Sequence, residues 1–196
     1  QIGLWNIMMA QKGYVVVNMD NRGTPCLKGS QWRKSIYRQV GRINVRDQGL
    51  AAKELLKLDY LDNERTSVWG WSGGGTMTLN LLFKYPEIYK TGVAVAAVSN
   101  QLVYDNIYQE RYMGLPQENM QDFIDGSPVT YAKNLQGNLL LIHGTADDNV
   151  HYQSAEILIN ELIRQNKQFQ MMSYPNRSHG IYEGENTRKH LFTTIT

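Results

Sequence analysis

A serine with glycines two positions away on either side, Gly70-Trp71-Ser72-Gly73-Gly74, is the strongest chemical signal in this chain. A short apolar run, Thr66 to Trp69, stops at Gly70, and a helix-compatible segment starts near Gly75. Ser72 therefore falls at the tip of a strand-to-helix turn. The pattern G-x-S-x-G spells a nucleophile elbow, in which the serine backbone is strained and the chain doubles back so tightly that small neighbours are required. Gly70 and Gly74 supply them. A serine hydroxyl is a weak nucleophile until a base takes its proton, so the chain must also provide a histidine and a group to orient it.

Four histidines are available. His143 ends an apolar run and precedes Gly144, which suits a core position; His151 opens a helical pattern and His190 sits inside one. His179, in Asn176-Arg177-Ser178-His179-Gly180, lies in a polar loop after the last strand-like run, where a base could reach a nucleophile. Upstream of it, Gly144-Thr145-Ala146-Asp147-Asp148-Asn149 places two carboxylates just past the preceding strand-like run, and spacing alone does not choose between Asp147 and Asp148. Nucleophile, acid and base then follow in the chain order of α/β-hydrolases, each after a different strand. The chemistry would be acyl transfer. His179 takes the Ser72 proton, an aspartate fixes the imidazole tautomer and stabilises its cation, and Ser72 attacks a carbonyl. The backbone N–H of Gly73 would be one donor to the oxyanion; Gln1 to Asn6 offers no convincing second one.

The elements that must position these groups alternate. Ile2, Leu4, Ile7 and Met8 predict a short helix, and Tyr14 to Met19 a buried inner strand. Thr24 to Asn44 reads as a long connection with a short helix near Trp32 to Tyr37, and Asp47 to Leu58 as a helix. After the elbow come a helix over Thr76 to Tyr85, ended by Pro86, and a strand over Thr91 to Val98. Ser99 to Gly126 is tyrosine-rich and irregular. Leu139 to Ile142 predicts a strand, His151 to Gln165 an amphipathic helix, Gln168 to Tyr174 a strand and Thr187 onward a helix. Strands alternating with helices imply an α/β fold with a mostly parallel sheet, right-handed crossovers and functional residues at the carboxyl ends of strands.

At 196 residues and 42% hydrophobic, the chain supports one core and one domain. Its 20 Lys and Arg balance 18 Asp and Glu without a basic run, which argues against a nucleic-acid partner. No apolar run approaches the roughly 20 residues a membrane helix needs. One cysteine, Cys26, cannot form an intrachain disulfide, and no histidine pair or cysteine cluster has metal-ligand spacing, so no metal or cofactor is expected. The chain opens on Gln1 and ends within a predicted helix, which reads as a fragment.

Gly70-Trp71-Ser72, Tyr104, the stretch from Tyr108 through Glu110-Arg111-Tyr112-Met113-Gly114-Leu115-Pro116, and Leu141 to His151 together resemble the catalytic domain of the prolyl oligopeptidase family. Within it they look most like the dipeptidyl peptidase IV subfamily. The resemblance implies an α/β-hydrolase fold with Ser72 as nucleophile, Asp147 as acid and His179 as base. It implies that Tyr104 and Tyr108, with Val98, Trp71 and Val150, wall an apolar pocket for proline or alanine, and that Asn149 binds a substrate carbonyl. Arg22 and Asp47-Gln48 match segments that brace the domain. The expected activity is a serine exopeptidase that releases amino-terminal dipeptides; a tripeptidyl or acylaminoacyl peptidase, an esterase of the same fold and a non-catalytic binding module are the rivals. Two positions depart from the pattern: Gly73 replaces a common aromatic, and Gln101 a tryptophan found in some members.

The resemblance further places upstream of Gln1 a tyrosine that completes the oxyanion hole, a β-propeller whose paired glutamates hold the substrate's amino group, and a strand between those at Tyr14 and Val68. On this reading the chain is a partial catalytic domain, poorly active alone. Its partners would be peptides and a second copy bound through this domain, in a periplasmic or extracellular setting.

Overall fold

A computed structural model describes residues 3–196, so Ile2 lies outside the described part. The helices before the sheet are α1 (Leu4–Gln11), α2 (Gly29–Lys34) and α3 (Ile43–Leu55). There follow β1 (Ser67–Trp71), α4 (Gly73–Lys84), β2 (Thr91–Val95), α5 (Asn106–Met113), α6 (Pro116–Gly126), β3 (Asn138–Gly144), α7 (Gln153–Arg164), β4 (Gln170–Tyr174) and α8 (Thr187–Thr194). The strands form one parallel sheet in the order β1-β2-β3-β4. Parallel neighbours need crossovers, which α4, the pair α5 and α6, and α7 provide. Because all four strands run the same way, the segments after β1, β2, β3 and β4 open on one edge of the sheet.

The sheet is covered on both faces. Leu79, Leu82 and Phe83 of α4 pack with Leu158 and Leu162 of α7 and Val45 of α3 against Leu139 and Leu141. Val95, Ile142 and Tyr174 gather Ile181, Leu191 and Ile195 into a second cluster. Burial on both faces explains the uninterrupted apolar spelling of β3.

Three expectations need correction. Tyr14 to Met19 forms no strand, and Val15 and Val17 are exposed. A strand needs a neighbour to satisfy its ladder, and among the described residues the sheet ends at β1 without taking this segment in. Ser99 to Gly126 holds two helices rather than irregular chain. Asp105 caps α5 by accepting from Tyr108 N–H, Gly114 at φ +75° stops it, and Pro116 opens α6. Finally, β2 ends at Val95 instead of Val98, because Ala96 adopts φ +46° and turns the chain out of the ladder.

Two polar braces fix the segments that form the back of the site. Arg22 grips Asp47 through Nε–Oδ2 at 2.9 Å and Nη2–Oδ1 at 2.6 Å, and its backbone N–H adds a third bond at 3.0 Å. Gln48 Nε2 donates to Met19 O and Asn21 Oδ1. Farther along, the half-buried Lys84 amine donates to Gly41 O and Asp125 O and lies 4.2 Å from the Tyr131 ring centre. Burial pulls its pKa down to about 8, against the pull of Asp125.

The Arg22 contact holds the Asp47 carboxyl below its usual range, chiefly through the side-chain hydrogen bond. A carboxyl whose folded pKa is depressed contributes stability above about pH 4 and loses it as pH falls through the folded value. Asp47→Asn is therefore expected to cost about 2 kcal/mol at pH 7. In urea unfolding the gap between variant and parent should narrow at pH 3; equal midpoints at pH 7 would remove the brace from the stability argument.

Candidate active site

Ser72 sits between β1 and α4 with φ +57° and ψ −120°, a conformation that L-residues rarely adopt. Its N–H is held by Val95 O at 2.8 Å, and its carbonyl accepts from Thr76 N–H at 2.9 Å. The steric demand for small residues is uneven. A Cβ on Gly70 would lie 2.3 Å from the Gly74 backbone, and one on Gly75 would lie 2.8 Å from Val95 O. On Gly73 or Gly74 it would meet nothing within 4 Å. Gly73 is the first residue of α4, so its N–H has no carbonyl partner within the helix.

The loops after β3 and β4 bring Asp147 and His179 together. His179 Nδ1 lies 2.8 Å from Asp147 Oδ2, while Asp147 Oδ1 accepts from the backbone N–H groups of Asn149 at 3.0 Å and Val150 at 2.9 Å. The Asp147 side chain is fully buried. Burial pushes its carboxyl up, but hydrogen bonds from His143, His179 and Asn149 N–H outweigh that and hold it well below the usual carboxylate range. Asp148 is exposed and makes no side-chain hydrogen bond among the described residues. Gly144 lets the two loops close: a Cβ there would lie 2.2 Å from Arg177 O.

His143 is buried, as its apolar context suggests, yet it also touches the acid. Its Nε2 lies 2.8 Å from Val150 O and 3.2 Å from Asp147 Oδ2. Both partners are acceptors, so this nitrogen carries a proton and the imidazole props the same carboxylate oxygen that faces His179. Only the four-residue spacing to Asp147 hinted at this contact in the sequence.

Trp71 Nε1 donates to His179 O at 2.9 Å, which docks the histidine loop on the residue preceding Ser72. No hydrogen bond joins Ser72 to the His179 ring among the described residues; such bonds are often long before substrate binds. His151 is exposed, and His190 pairs with the Tyr174 hydroxyl at 2.7 Å, away from this group.

A cavity of about 220 Å³ opens beside Ser72 and Gly73. Val98, Tyr104 and Tyr108 line it, the two tyrosine rings meeting edge to face with centres 5.3 Å apart. Trp71 and Val150 stand outside that lining, and Val150 is buried beneath the acid loop. The Tyr104 hydroxyl donates to Asn149 Oδ1 at 2.8 Å. This fixes the amide orientation and leaves the Asn149 NH₂ to be offered elsewhere. Sequence reasoning missed Asn80, Gln109 and the wall from Ile36 to Val45, which reach this cavity only through tertiary packing.

The model of the prolyl oligopeptidase family matches residues 3–196. The chain belongs to the prolyl oligopeptidase family. Mouse prolyl endopeptidase FAP is 36% identical over 98% of this chain and 26% of its own length. Cat dipeptidyl peptidase 4 is 37% identical over 98% of this chain and 25% of its own length. The crystal structure of Porphyromonas gingivalis dipeptidyl peptidase 4 superposes with a TM-score of 0.86 at 42% identity, covering 90% of this chain and 25% of that one. As a prolyl oligopeptidase family member the chain has the α/β-hydrolase fold, and it spans about a quarter of the length of these relatives. No described helix is long and apolar enough to cross a membrane.

Proposed function

We propose that this chain is the catalytic part of a serine exopeptidase that releases amino-terminal dipeptides after proline or alanine. The observation that carries the reading is the pair of buried Asp147 and half-buried His179 at 2.8 Å, docked through Trp71 on the strained turn that presents Ser72. In this reading Ser72 attacks the scissile carbonyl and His179 receives its proton. Asp147 holds the proton on Nδ1, the Gly73 N–H meets the oxyanion, and an acyl-enzyme forms and is hydrolysed. The side chain adjoining the attacked carbonyl enters the cavity walled by Val98, Tyr104 and Tyr108, while Asn149 offers its NH₂ to a substrate carbonyl.

The relatives' names support dipeptide release, and their fourfold greater length supports a longer working protein that supplies the second oxyanion donor, a strand beside β1, the propeller and an amine anchor. Pairing of two copies through this domain belongs to the same proposal. The deciding experiment compares chromogenic Gly-Pro with its acetylated form and with a tripeptidyl substrate on the full-length protein. Fast release from free Gly-Pro alone is expected. Preference for the acetylated or the longer substrate would move the assignment to an acylaminoacyl or tripeptidyl peptidase, and ester turnover without peptide cleavage to an esterase.

A further inference from the structure

The cavity beside Ser72 is larger and more polar than a proline ring requires. An engineered apolar cavity of about 150 Å³ is enough to hold benzene; this one measures about 220 Å³. It continues past Gly73, where a Cβ would find open space, to a wall formed by Val40 and Val45. Its lining includes three buried amides, Asn80, Gln101 and Gln109, whose side-chain oxygens have no hydrogen-bond partner among the described residues.

For two of them the orientation is fixed by their neighbours. Asn80 Nδ2 donates to Gly126 O at 3.1 Å, and Gln101 Nε2 donates to both Val40 O and Gly126 O at 3.1 Å. Flipping either amide would set an oxygen against a carbonyl, so the unpartnered atoms are acceptors. Buried acceptors without partners are costly, and a donor brought in by a ligand removes that cost. No charged side chain lines the cavity. An ammonium or carboxylate entering it would lose hydration without meeting a countercharge. The occupant is therefore neutral, longer than proline and tipped with a donor, and the edge-to-face tyrosines of the lining favour an aromatic ring.

We propose that the pocket accepts, besides proline and alanine, a tyrosine at the residue whose carbonyl Ser72 attacks, with the single phenol O–H donating to the side-chain oxygen of Gln101. The inference rests on the exopeptidase reading above. Phenylalanine is the matched probe, since it fills the same volume and lacks the donor.

The test measures kcat/KM of the full-length protein on Gly-Pro, Gly-Phe and Gly-Tyr chromogenic substrates. Gly-Tyr is expected to be cleaved at a rate comparable to Gly-Pro and about tenfold better than Gly-Phe, the value of one hydrogen bond to a buried acceptor. Gln101→Leu should bring the Tyr-to-Phe ratio close to one. Cleavage of Gly-Pro with Gly-Tyr untouched, or equal rates for Tyr and Phe, overturns the pocket assignment alone. Failure of all three substrates overturns the exopeptidase reading with it.

Discussion

Ser72→Ala in the full-length protein is expected to lower kcat by about 10⁶-fold and to abolish labelling by a fluorophosphonate probe. The size of the effect follows from what the turn provides. A residue at φ +57° and ψ −120° is held only because Gly70, pressed on the Gly74 backbone, and Gly75, pressed on Val95 O, let β1 and α4 approach that closely. The strain lifts the hydroxyl clear of the sheet edge, next to a helix whose first N–H groups are unpaired, so a nucleophile and an oxyanion donor occupy adjacent residues. Alanine keeps the backbone and removes the attacking atom. Binding of the Gly-Pro substrate to the variant should survive when measured directly by calorimetry, which separates loss of chemistry from loss of fold. Labelling at the parent level in the alanine variant would take the nucleophile away from Ser72. An unlabelled parent would instead favour a binding module that has kept the fold.

Much of this arrangement is legible in the chain because steric and periodic demands leave spelled-out traces. The elbow shows because close approach of two backbones permits only glycine, and α7 because Ala155, Leu158 and Leu162 recur on one buried face. The unread parts have physical reasons. Tyr14 to Met19 has the composition of an inner strand, but composition reports what a segment could bury, not whether a neighbour is there to pair with it. The helices after β2 escape a periodicity reading because α5 buries a glutamine and a methionine, Gln109 and Met113, in place of an apolar stripe. Asp147 and Asp148 are chemically identical in sequence. They differ only once the loop folds, when one carboxylate takes the Asn149 and Val150 N–H groups and the other faces solvent. The role of His143 depends on the same loop closure, which brings Val150 O and Asp147 to a single ring nitrogen.

Asp147→Asn is expected to lower kcat about 10⁴-fold at neutral pH with little change in KM, and to lower the urea midpoint because a buried donor loses its acceptor. The reason lies in which oxygen each neighbour uses. Oδ1 accepts from two backbone N–H groups, so an asparagine at this position keeps its oxygen there and turns its NH₂ to the place of Oδ2. That NH₂ then faces His179 Nδ1, 2.8 Å away, and can only donate to it. Nδ1 becomes an acceptor, the ring proton moves to Nε2, and the nitrogen that should take the Ser72 proton is already occupied. The same NH₂ also meets His143 Nε2–H, donor against donor at 3.2 Å, so the substitution opposes both imidazoles without creating a cavity. Asp148→Asn changes the same charge one residue away, on an exposed side chain with no hydrogen bond among the described residues, and should leave kcat near the parent value. A fall in the Asp148 variant with an unchanged Asp147 variant would transfer the orienting role to the neighbouring carboxylate. Equal small effects in both would leave His179 without an orienting carboxylate and sink the triad.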